Sequence, residues 1–215
     1  VIAIAPNSPD ALNQVLDSAK AKGILVLTVN GDLTGNESHR DATILPTDFS
    51  KVGADQVEMV GSLIGYEGEI AILSATTEAP DQNKWIVGMN ETLKNDAKYA
   101  KMKLVATVYG DDQPEKSTTE MEALLSNFPN LKGVIAPTTV GIAAAAQVVQ
   151  SRGIASTVHV TGLGLPSEMR DFVKDGTVTA FQLWSPYNEG WLAAHFAVGV
   201  LGGTIKNEVG ATFDV

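Results

Sequence analysis

Cysteine is absent from the 215-residue chain, and aromatic residues make up only 6% of it. Without a thiol the chain cannot form a disulfide, a thiolate metal site or a cysteine nucleophile. Basic residues are also few, because 15 Lys and Arg stand against 25 Asp and Glu, for a formal net charge of −10. Nucleic acids and anionic membranes bind through clustered basic side chains, so this charge argues against both as main partners. No apolar run approaches the roughly 20 residues of a transmembrane helix.

Signatures of catalysis and of cofactor binding are missing as well. The sequence contains no G-x-x-x-x-G-K-[ST] loop, no H-E-x-x-H motif and no G-x-S-x-G elbow. Gly162-Leu163-Gly164 begins like a dinucleotide fingerprint, but Ser167 stands at the third glycine position, so we interpret it as a tight turn. Asp111-Asp112 has no acid–base partner nearby and is interpreted as a solvated loop. The sequence therefore predicts no enzyme, no cofactor and no metal site.

Short apolar, β-branched runs alternate with segments of helical period. Continuous apolar character is typical of strands that are covered on both faces. The predicted strands are Ile2–Ala5, Ile24–Val29, Ile70–Leu73, Leu104–Tyr109, Gly133–Ala136, Val158–Thr161 and Val178–Leu183. A first helix is predicted to open at Asn7–Asp10 and to close at Gly23, and others cover about 50–65, 82–97, 114–127, 139–151, 166–175 and 186–201. This alternation predicts an α/β fold with parallel sheets flanked by helices.

Two lobes explain the pattern better than one seven-stranded sheet. Gly31–Pro46 is long, polar and without a clear period, and Gly65–Gly68 is a turn-rich break. We therefore predict a partial N-terminal α/β lobe over residues 1–66 and a C-terminal α/β lobe over residues 67–185. Residues 186–215 would form a crossover helix and a segment that returns toward the N-terminal lobe, with a final strand in Ala211–Val215.

The residues that follow each predicted strand are the candidates for a ligand site. Ligands of parallel sheets bind beyond the carboxyl ends of the strands. These positions are rich in Asn, Asp, Gln, Thr and Trp and poor in basic residues, which suits an uncharged, polyhydroxylated ligand better than a phosphate. Four segments carry this signal, namely Val29–Asp32, Asp81–Trp85, Ala136–Thr139 and Trp184–Asn188.

Each of these segments also has a purely structural interpretation, and the sequence leaves both open. Asp81 is suited to cap the N-terminus of a helix, and Thr139 has the same chemistry at the next helix but one. Asn30 tolerates the unusual φ of a tight turn. Trp184–Asn188 could be a packing corner between a strand and a helix.

Taken in order, these segments resemble the periplasmic sugar-binding proteins of bacterial ABC importers. Within that family they are most similar to the branch of rhamnose-binding and autoinducer-2-binding proteins. The matching stretches include Ser8–Leu12, Gly23–Thr28, Asp81–Trp85, Gly133–Pro137, Gly176–Val178 and Phe181–Trp184. The resemblance implies the two-lobed type I periplasmic-binding-protein fold. It also implies an incomplete first lobe, because the family's first two strand–helix units have no counterpart here.

Carried over residue by residue, the resemblance implies a set of ligand-binding positions: Asn30, Asp32, Asp81, Gln82, Asn83, Pro137, Thr139 and, near the cleft, Trp184. Autoinducer-2 receptors typically have aspartate where Asn30 stands and alanine where Thr139 stands. The expected ligand is therefore a small neutral sugar, such as the deoxyhexose rhamnose, a pentose or a polyol.

The function that the resemblance implies is capture of this sugar for uptake by an ABC permease in the membrane. We expect a monomeric, non-catalytic protein, located in the periplasm or anchored by lipid at the cell exterior. One alternative is an autoinducer-2-binding protein. Another is the sugar-sensing domain of a transcriptional repressor with the same fold, which a helix-turn-helix preceding Val1 would reveal. A sugar isomerase or hydrolase ranks third, because no acid–base pair was found.

Overall fold

The structure is a computed structural model and describes residues 1–213. Its strands are β1 (Ile2–Ile4), β2 (Val26–Val29), β3 (Ala42–Ile44), β4 (Gly68–Ser74), β5 (Met102–Tyr109), β6 (Leu131–Ala136) and β7 (His159–Gly162). Its α-helices are α1 (Asn13–Lys20), α2 (Phe49–Ile64), α3 (Pro80–Asn95), α4 (Pro114–Asn127), α5 (Thr139–Arg152), α6 (Pro166–Lys174) and α7 (Pro186–Leu201). Two short 3-10 helices cover Glu37–His39 and Ala97–Tyr99.

The strands form two parallel sheets. The first has the order β1-β2-β3 and the second the order β5-β4-β6-β7. Parallel neighbours need long crossover connections, which α-helices supply except between β2 and β3, where the polar stretch with the 3-10 helix Glu37–His39 makes the connection. The prediction of an α/β fold with parallel sheets flanked by helices is confirmed.

The chain groups into two compact units. Unit 1 contains Val1–Asp48, Glu78–Asp81 and the chain from Trp184 onward, and unit 2 contains Phe49–Thr77 and Gln82–Leu183. Helix α2 thus groups with unit 2, whereas the sequence analysis assigned it to the N-terminal lobe. The lobe boundaries over 1–66, 67–185 and 186–215 stay a prediction.

Strand β2 is the centre of unit 1. On one face of its sheet, Val26 packs with Leu16 and Ala19 of α1. On the other face, Leu27 belongs to a cluster that contains Phe196 of α7. Because both faces are covered, β2 reads in the sequence as an uninterrupted apolar run.

Unit 2 has the larger core. Ile70 to Leu73 of β4 are fully buried. Leu73 packs in a cluster with Met121 of α4, Ile142 of α5 and Met169 of α6, while α2 packs against β6 and β7. Helices on both faces explain the continuous apolar strands of this unit as well.

One predicted strand does not form, and one strand was not predicted. Val178–Leu183 forms no strand, because Gln182 makes only two backbone hydrogen bonds there, one with Gly162 O at 2.8 Å and one with Gly164 N at 2.9 Å. Strand β3 was missed, because it has only three residues inside the polar stretch 31–46, and Ile44 alone of them is buried.

The ends of the chain also differ from expectation. Helix α1 begins at Asn13, and the residues from Asn7 to Leu12 form bends and turns instead of its opening. In the predicted C-terminal strand, Ala211 to Phe213 are not in a strand, and Asp214 and Val215 lie outside the described residues. Within residues 1–213, no helix combines the length and the apolar character that crossing a membrane requires.

Candidate functional site

The segment after β2 forms a turn at the carboxyl edge of the unit 1 sheet. Asn30 has a φ of 59°, in the left-handed region that asparagine tolerates better than most residues. Its N–H donates to Ile44 O at 3.1 Å. Next to it, a Cβ at Gly31 would collide with Oδ2 of Asp81. Glycine at position 31 therefore lets the Asp81 carboxyl group approach the backbone of the turn.

Asp81 lies in the first turn of α3 and is only 8% exposed. Because α3 begins at Pro80, Asp81 lies inside the helix and is not its cap. A negative charge in the first turn is favoured by the helix dipole. The structure thus brings together two segments that the sequence singled out separately, Asp81 and the turn at 30–32.

The carboxylate of Asp32 is bound within unit 1. Its Oδ1 accepts hydrogen bonds from Thr28 Oγ1 at 3.0 Å and from the Leu33 N–H at 2.9 Å, and Arg40 binds both oxygens at 2.8 and 2.5 Å. Burial raises the pKa of Asp32, but the hydrogen bonds and the charge of Arg40 outweigh it, so the pKa lies below its ordinary value. Asp32 therefore holds the turn in shape, and its role as a ligand contact stays a prediction.

Trp184 lies in unit 1, beside a buried acid that the sequence analysis missed. Glu189 lies in the first turn of α7 and is 9% exposed, and its Oε1 has no hydrogen-bond partner among the described residues. Burial raises the pKa of Glu189 above its ordinary value. Glu189 was missed because a single acid in a helix normally lies on the solvent side, and nothing in the sequence shows that this one is buried.

Gln82, Asn83, Pro137 and Thr139 all lie in unit 2. The Nε2 of Gln82 reaches the carbonyl oxygen of Pro137 at 3.5 Å, which brings the start of α3 next to the end of β6. Asn83 donates instead to Thr77 O at 2.8 Å. Thr139 is the first residue of α5 and is half-buried. The structure therefore joins Gln82 with Pro137, while Asn83 is tied to the loop that precedes α3.

Helix α5 is capped by Thr138 and not by Thr139, so the capping interpretation of Thr139 was wrong by one residue. Thr138 has the extended backbone of a cap residue, and its hydroxyl makes a short hydrogen bond to Asp112. Asp112 and Asp111 have φ values of 52° and 53°, so two successive residues of this loop are left-handed. Asp112 is exposed, as expected of a solvated loop, and it also contacts the residue that precedes α5.

A buried pair of amides in unit 2 was also missed. Gln56 of α2 is fully buried and donates from Nε2 to Oε1 of Gln182 at 3.0 Å, while its own Oε1 has no partner among the described residues. Gln56 lies four residues from both Val52 and Val60, on the apolar side of the helix, and this spacing was the one signal available.

The polar groups at these strand ends are hydrogen-bonding groups of neutral or negative character. Carboxylates, amides and an indole bind hydroxyl groups and the C–H faces of rings, and do not favour a phosphate. Among residues 1–213, no cluster of three or more His, Asp or Glu side chains is placed to hold a metal ion.

Sequence comparison identifies the family of this chain. The profile of the periplasmic binding protein domain family matches residues 1–205. The chain belongs to this family. The resemblance noted in the sequence and the type I fold that it implied are therefore confirmed.

Several relatives of this periplasmic binding protein domain have known structures. An ABC transporter solute-binding protein of Clostridium phytofermentas with bound L-rhamnose is 38% identical with a TM-score of 0.92, over 100% of this chain and 67% of that chain. A sugar ABC transporter protein of Actinomyces odontolyticus is 42% identical with a TM-score of 0.77, over 97% of this chain and 66% of that chain.

A curated relative is the xylitol-binding protein of Mycolicibacterium smegmatis. It is 29% identical over 141 residues, which are 63% of this chain and 37% of that protein. The chain thus matches little more than a third of this relative's length and about two thirds of each of the two solved chains.

Proposed function

We propose that this periplasmic binding protein domain captures a small neutral sugar or polyol for uptake by an ABC importer. The proposal rests first on Asp81, a buried carboxylate placed against the backbone of the turn at Asn30 and Gly31. A carboxylate accepts hydrogen bonds from two adjacent hydroxyl groups, which is the pattern a sugar offers. The relatives that bind L-rhamnose and xylitol support this ligand class.

In this proposal Asn30, Asp81, Gln82, Asn83, Pro137, Thr139 and Trp184 contact the ligand. The amides and carboxylate bind hydroxyl groups, and the ring of Trp184 packs on a C–H face. Asp32 is proposed as a contact as well, through a carboxylate that Arg40 and Thr28 also bind. The protein would act without catalysis, as a monomer in the periplasm or anchored at the cell exterior, and would deliver its sugar to a membrane permease.

The test is a thermal-shift panel of deoxyhexoses, pentoses, polyols and autoinducer-2. A ligand that binds only the folded protein stabilises it by RT ln(1 + [L]/Kd), or about 2.7 kcal/mol at one hundred times Kd. In a protein of this size we expect the unfolding midpoint to rise by roughly 5–10 °C with the right ligand. No shift with any neutral sugar or polyol at millimolar concentration would contradict the proposal.

The double variant Asn30→Asp/Thr139→Ala tests the choice between sugar and autoinducer-2. It introduces the two residues that the resemblance implies for autoinducer-2 receptors. We expect the parent to prefer a sugar and the double variant to bind it more weakly, by about tenfold, since ~1.4 kcal/mol is a factor of ten. A parent that prefers autoinducer-2 would assign the ligand to the alternative.

A further inference from the structure

The loop between β5 and α4 lies at the carboxyl edge of the unit 2 sheet. The N–H of Gly110 donates to Ser74 O at 2.9 Å. The next residue, Asp111, donates from its N–H to Ala75 O at 3.0 Å, so pairing with the chain of β4 continues past the end of β5. In this sheet β4 lies between β5 and β6. The loop is therefore held at the end of β4, on the side from which the segment after β6 can be reached.

Asp111 and Asp112 have a strained backbone. Their φ values of 53° and 52° lie in the left-handed region, which residues other than glycine occupy only at a cost in free energy. Such residues persist where surrounding contacts hold them, and they are concentrated at functional sites. Asp111 forms an ion pair with Lys116 at 2.5 Å, whereas Asp112 contacts Thr138, outside the loop. The contact made by Asp112 is therefore a candidate for a functional role.

Thr138 stands between Pro137 and Thr139, two residues of the proposed sugar site. It occupies the N-cap position of α5 and is only 5% exposed. A threonine at this position normally accepts a hydrogen bond from an N–H of the first helical turn. Within the described residues Thr138 makes no such bond, and its methyl group faces that turn, 2.8 Å from where a Cβ of Gly141 would lie. Its hydroxyl donates instead to Oδ1 of Asp112.

We propose that Asp112 is a positioning residue, which holds the segment 137–139 in the conformation that the sugar site requires. The hydroxyl that could cap α5 is used for this contact, which favours a role in placing the segment over a role in stabilising the helix. Gln82 of α3 also reaches this segment, at the carbonyl oxygen of Pro137. The inference rests on the proposed function for its purpose, but the placement of the segment can be measured without a ligand.

Glycine variants remove a carboxylate of the loop without straining it further, because glycine adopts the left-handed conformation freely. Asp112→Gly removes the acceptor of the Thr138 hydroxyl. Asp111→Gly is the matched control, since it introduces the same flexibility one residue earlier and leaves that acceptor in place. Asp112→Asn keeps an acceptor oxygen and tolerates the same φ, so it should behave as the parent does.

The other partner of the contact is tested in the same way. Thr138→Val keeps the shape of the side chain but removes the hydroxyl, whereas Thr138→Ser keeps the hydroxyl. These two variants leave the sequence of the loop unchanged. They therefore decide the role of the contact even if Asp112→Gly does not fold.

The placement is measured by NMR on the full 215-residue chain without sugar. In Asp112→Gly we expect the amide signals of Thr139 and Val140 to shift, although both residues are more than 25 positions away in the sequence. In Asp111→Gly and Asp112→Asn the two signals should stay close to those of the parent. If Asp112→Gly shifts them no more than Asp111→Gly does, the inference is overturned.

Calorimetric titration with the best sugar of the panel then tests the purpose. Asp112→Gly and Thr138→Val should each bind about tenfold more weakly than the parent, which is the order of effect of one hydrogen bond to a charged acceptor. Asp111→Gly, Asp112→Asn and Thr138→Ser should bind within about threefold of the parent. The double variant Asp112→Gly/Thr138→Val should bind no more weakly than either single variant, because both changes remove the same bond.

The outcomes separate this inference from the proposed function. Equal affinities of Asp112→Gly and Asp111→Gly, or losses that add in the double variant, overturn the inference and leave the proposed function intact. A parent that binds no sugar overturns the proposed function and with it the purpose assigned to Asp112, while the NMR signals still decide the placement.

Discussion

Gly31 helps to define the candidate site because it has no side chain. The carboxyl group of Asp81 occupies the space where a Cβ of residue 31 would lie. The close approach places a charged acceptor directly against the backbone of the turn that follows β2. Any side chain at position 31 must displace either the turn or the carboxyl group.

Gly31→Ala should therefore weaken sugar binding by about tenfold or more, because the Asp81 carboxylate leaves its position. Calorimetric titration with the best ligand of the panel measures the effect. Gly88→Ala is the matched control, since its new Cβ would meet nothing closer than the Gly53 Cα at 3.7 Å, an ordinary contact. Equal affinities of Gly31→Ala and the parent would contradict the assignment of Asp81 as a contact.

Asp81→Ser tests the carboxylate itself. Hydrogen bonds to a charged acceptor contribute roughly 1.5–3 kcal/mol each, against about 0.5–1.5 for neutral ones. We expect Asp81→Ser to bind the sugar about tenfold to a hundredfold more weakly. A role at the helix N-terminus alone would instead lower the free energy of unfolding by about 0.3–1 kcal/mol and leave the affinity within twofold.

For single residues, the sequence predicted which polar groups lie at the ends of strands. It did not predict which of these groups are hydrogen-bonded to other residues of the chain. Asn30 and Asp81 were singled out, and the structure places their segments together. The partners of Asp32 were not foreseen, because Arg40 reaches it only after the chain has folded through the stretch 31–46. Glu189 and Gln56 were missed for the same reason, since burial depends on contacts distant in the sequence.

Among the elements, α2 and α3 approach each other closely in unit 2. A Cβ at Gly53 of α2 would lie against backbone atoms of α3, including the Met89 nitrogen at 2.8 Å and the carbonyl oxygen of Trp85. Backbone atoms cannot rotate away as the end of a side chain can. The two helices therefore meet at this distance only because residue 53 is glycine.

Gly53→Ala should lower the free energy of unfolding by about 1–3 kcal/mol through overpacking. Gly88→Ala, on the facing helix, should instead be neutral or stabilising by up to about 1 kcal/mol, because alanine favours the helix. Urea unfolding of both variants measures the contrast. Equal free energies of unfolding for Gly53→Ala and Gly88→Ala would contradict the close approach of α2 and α3 at position 53.

A polar cluster on the surface of unit 2 joins α2 to the segment before β5. Glu58 accepts hydrogen bonds from Lys98 Nζ at 2.7 and 2.8 Å, from Tyr99 Oη at 2.6 Å and from Tyr66 Oη at 2.8 Å. The hydrogen bonds from Lys98, Tyr99 and Tyr66 lower the pKa of Glu58 to about 2. The ammonium of Lys98 also lies 4.5 Å from the centre of the Tyr66 ring.

This cluster should make stability depend on pH in the acid range. Folding lowers the pKa of Glu58 from 4.5 to about 2. The contribution of Glu58 to the free energy of unfolding is therefore complete above pH 4.5 and is lost as the pH falls toward 2. Glu58→Gln should lower the thermal midpoint at pH 7, and the gap to the parent should close between pH 4.5 and 2. Salt should narrow the gap as well, because the side chains of Glu58 and Lys98 are each 44% exposed.

Glu67→Gln is the control for this effect, since among residues 1–213 the Glu67 side chain pairs only with an exposed Lys101 at 3.2 Å. Its thermal midpoint at pH 7 should stay close to that of the parent, because an ion pair between exposed side chains contributes little. A Glu58→Gln protein whose deficit persists unchanged at pH 2 would contradict the assignment.

Most of the elements were predictable because helices on both faces leave the strands as apolar runs. Strand β3 does not follow this pattern, since it has only three residues and Ile44 is the one buried residue among them. Val178–Leu183 shows the converse, because an apolar β-branched run does not pair along its length. The start of α1 was misplaced because Pro9 and Asp10 suit a turn as well as a helix opening.

For the molecule as a whole, the two units differ in how deeply their strands are buried and so in how easily their sheets open locally. The central strand β4 of unit 2 has seven residues, and Ile70 and Ile72 are fully buried. Strand β1 of unit 1 has three residues, and none of them is buried. Local opening should therefore be much easier at β1 than at β4.

Amide hydrogen exchange of the ligand-free protein tests this difference. The amides of Ile70 and Ile72 should exchange at least about a hundredfold more slowly than those of Ile2 and Ile4, because only the former need a large part of the core to open. Similar protection at the two strands would contradict the prediction.

The position of β5 also bears on how the protein should be handled in solution. Within residues 1–213, β5 pairs with β4 alone, so one side of it presents backbone groups without a sheet partner. Such an edge is a template on which another molecule can add a strand. The net charge of −10 opposes this by repulsion between molecules, and added salt screens that repulsion. A concentrated protein solution should therefore stay clear in a buffer of low salt concentration. High salt should favour gels or fibrous precipitates.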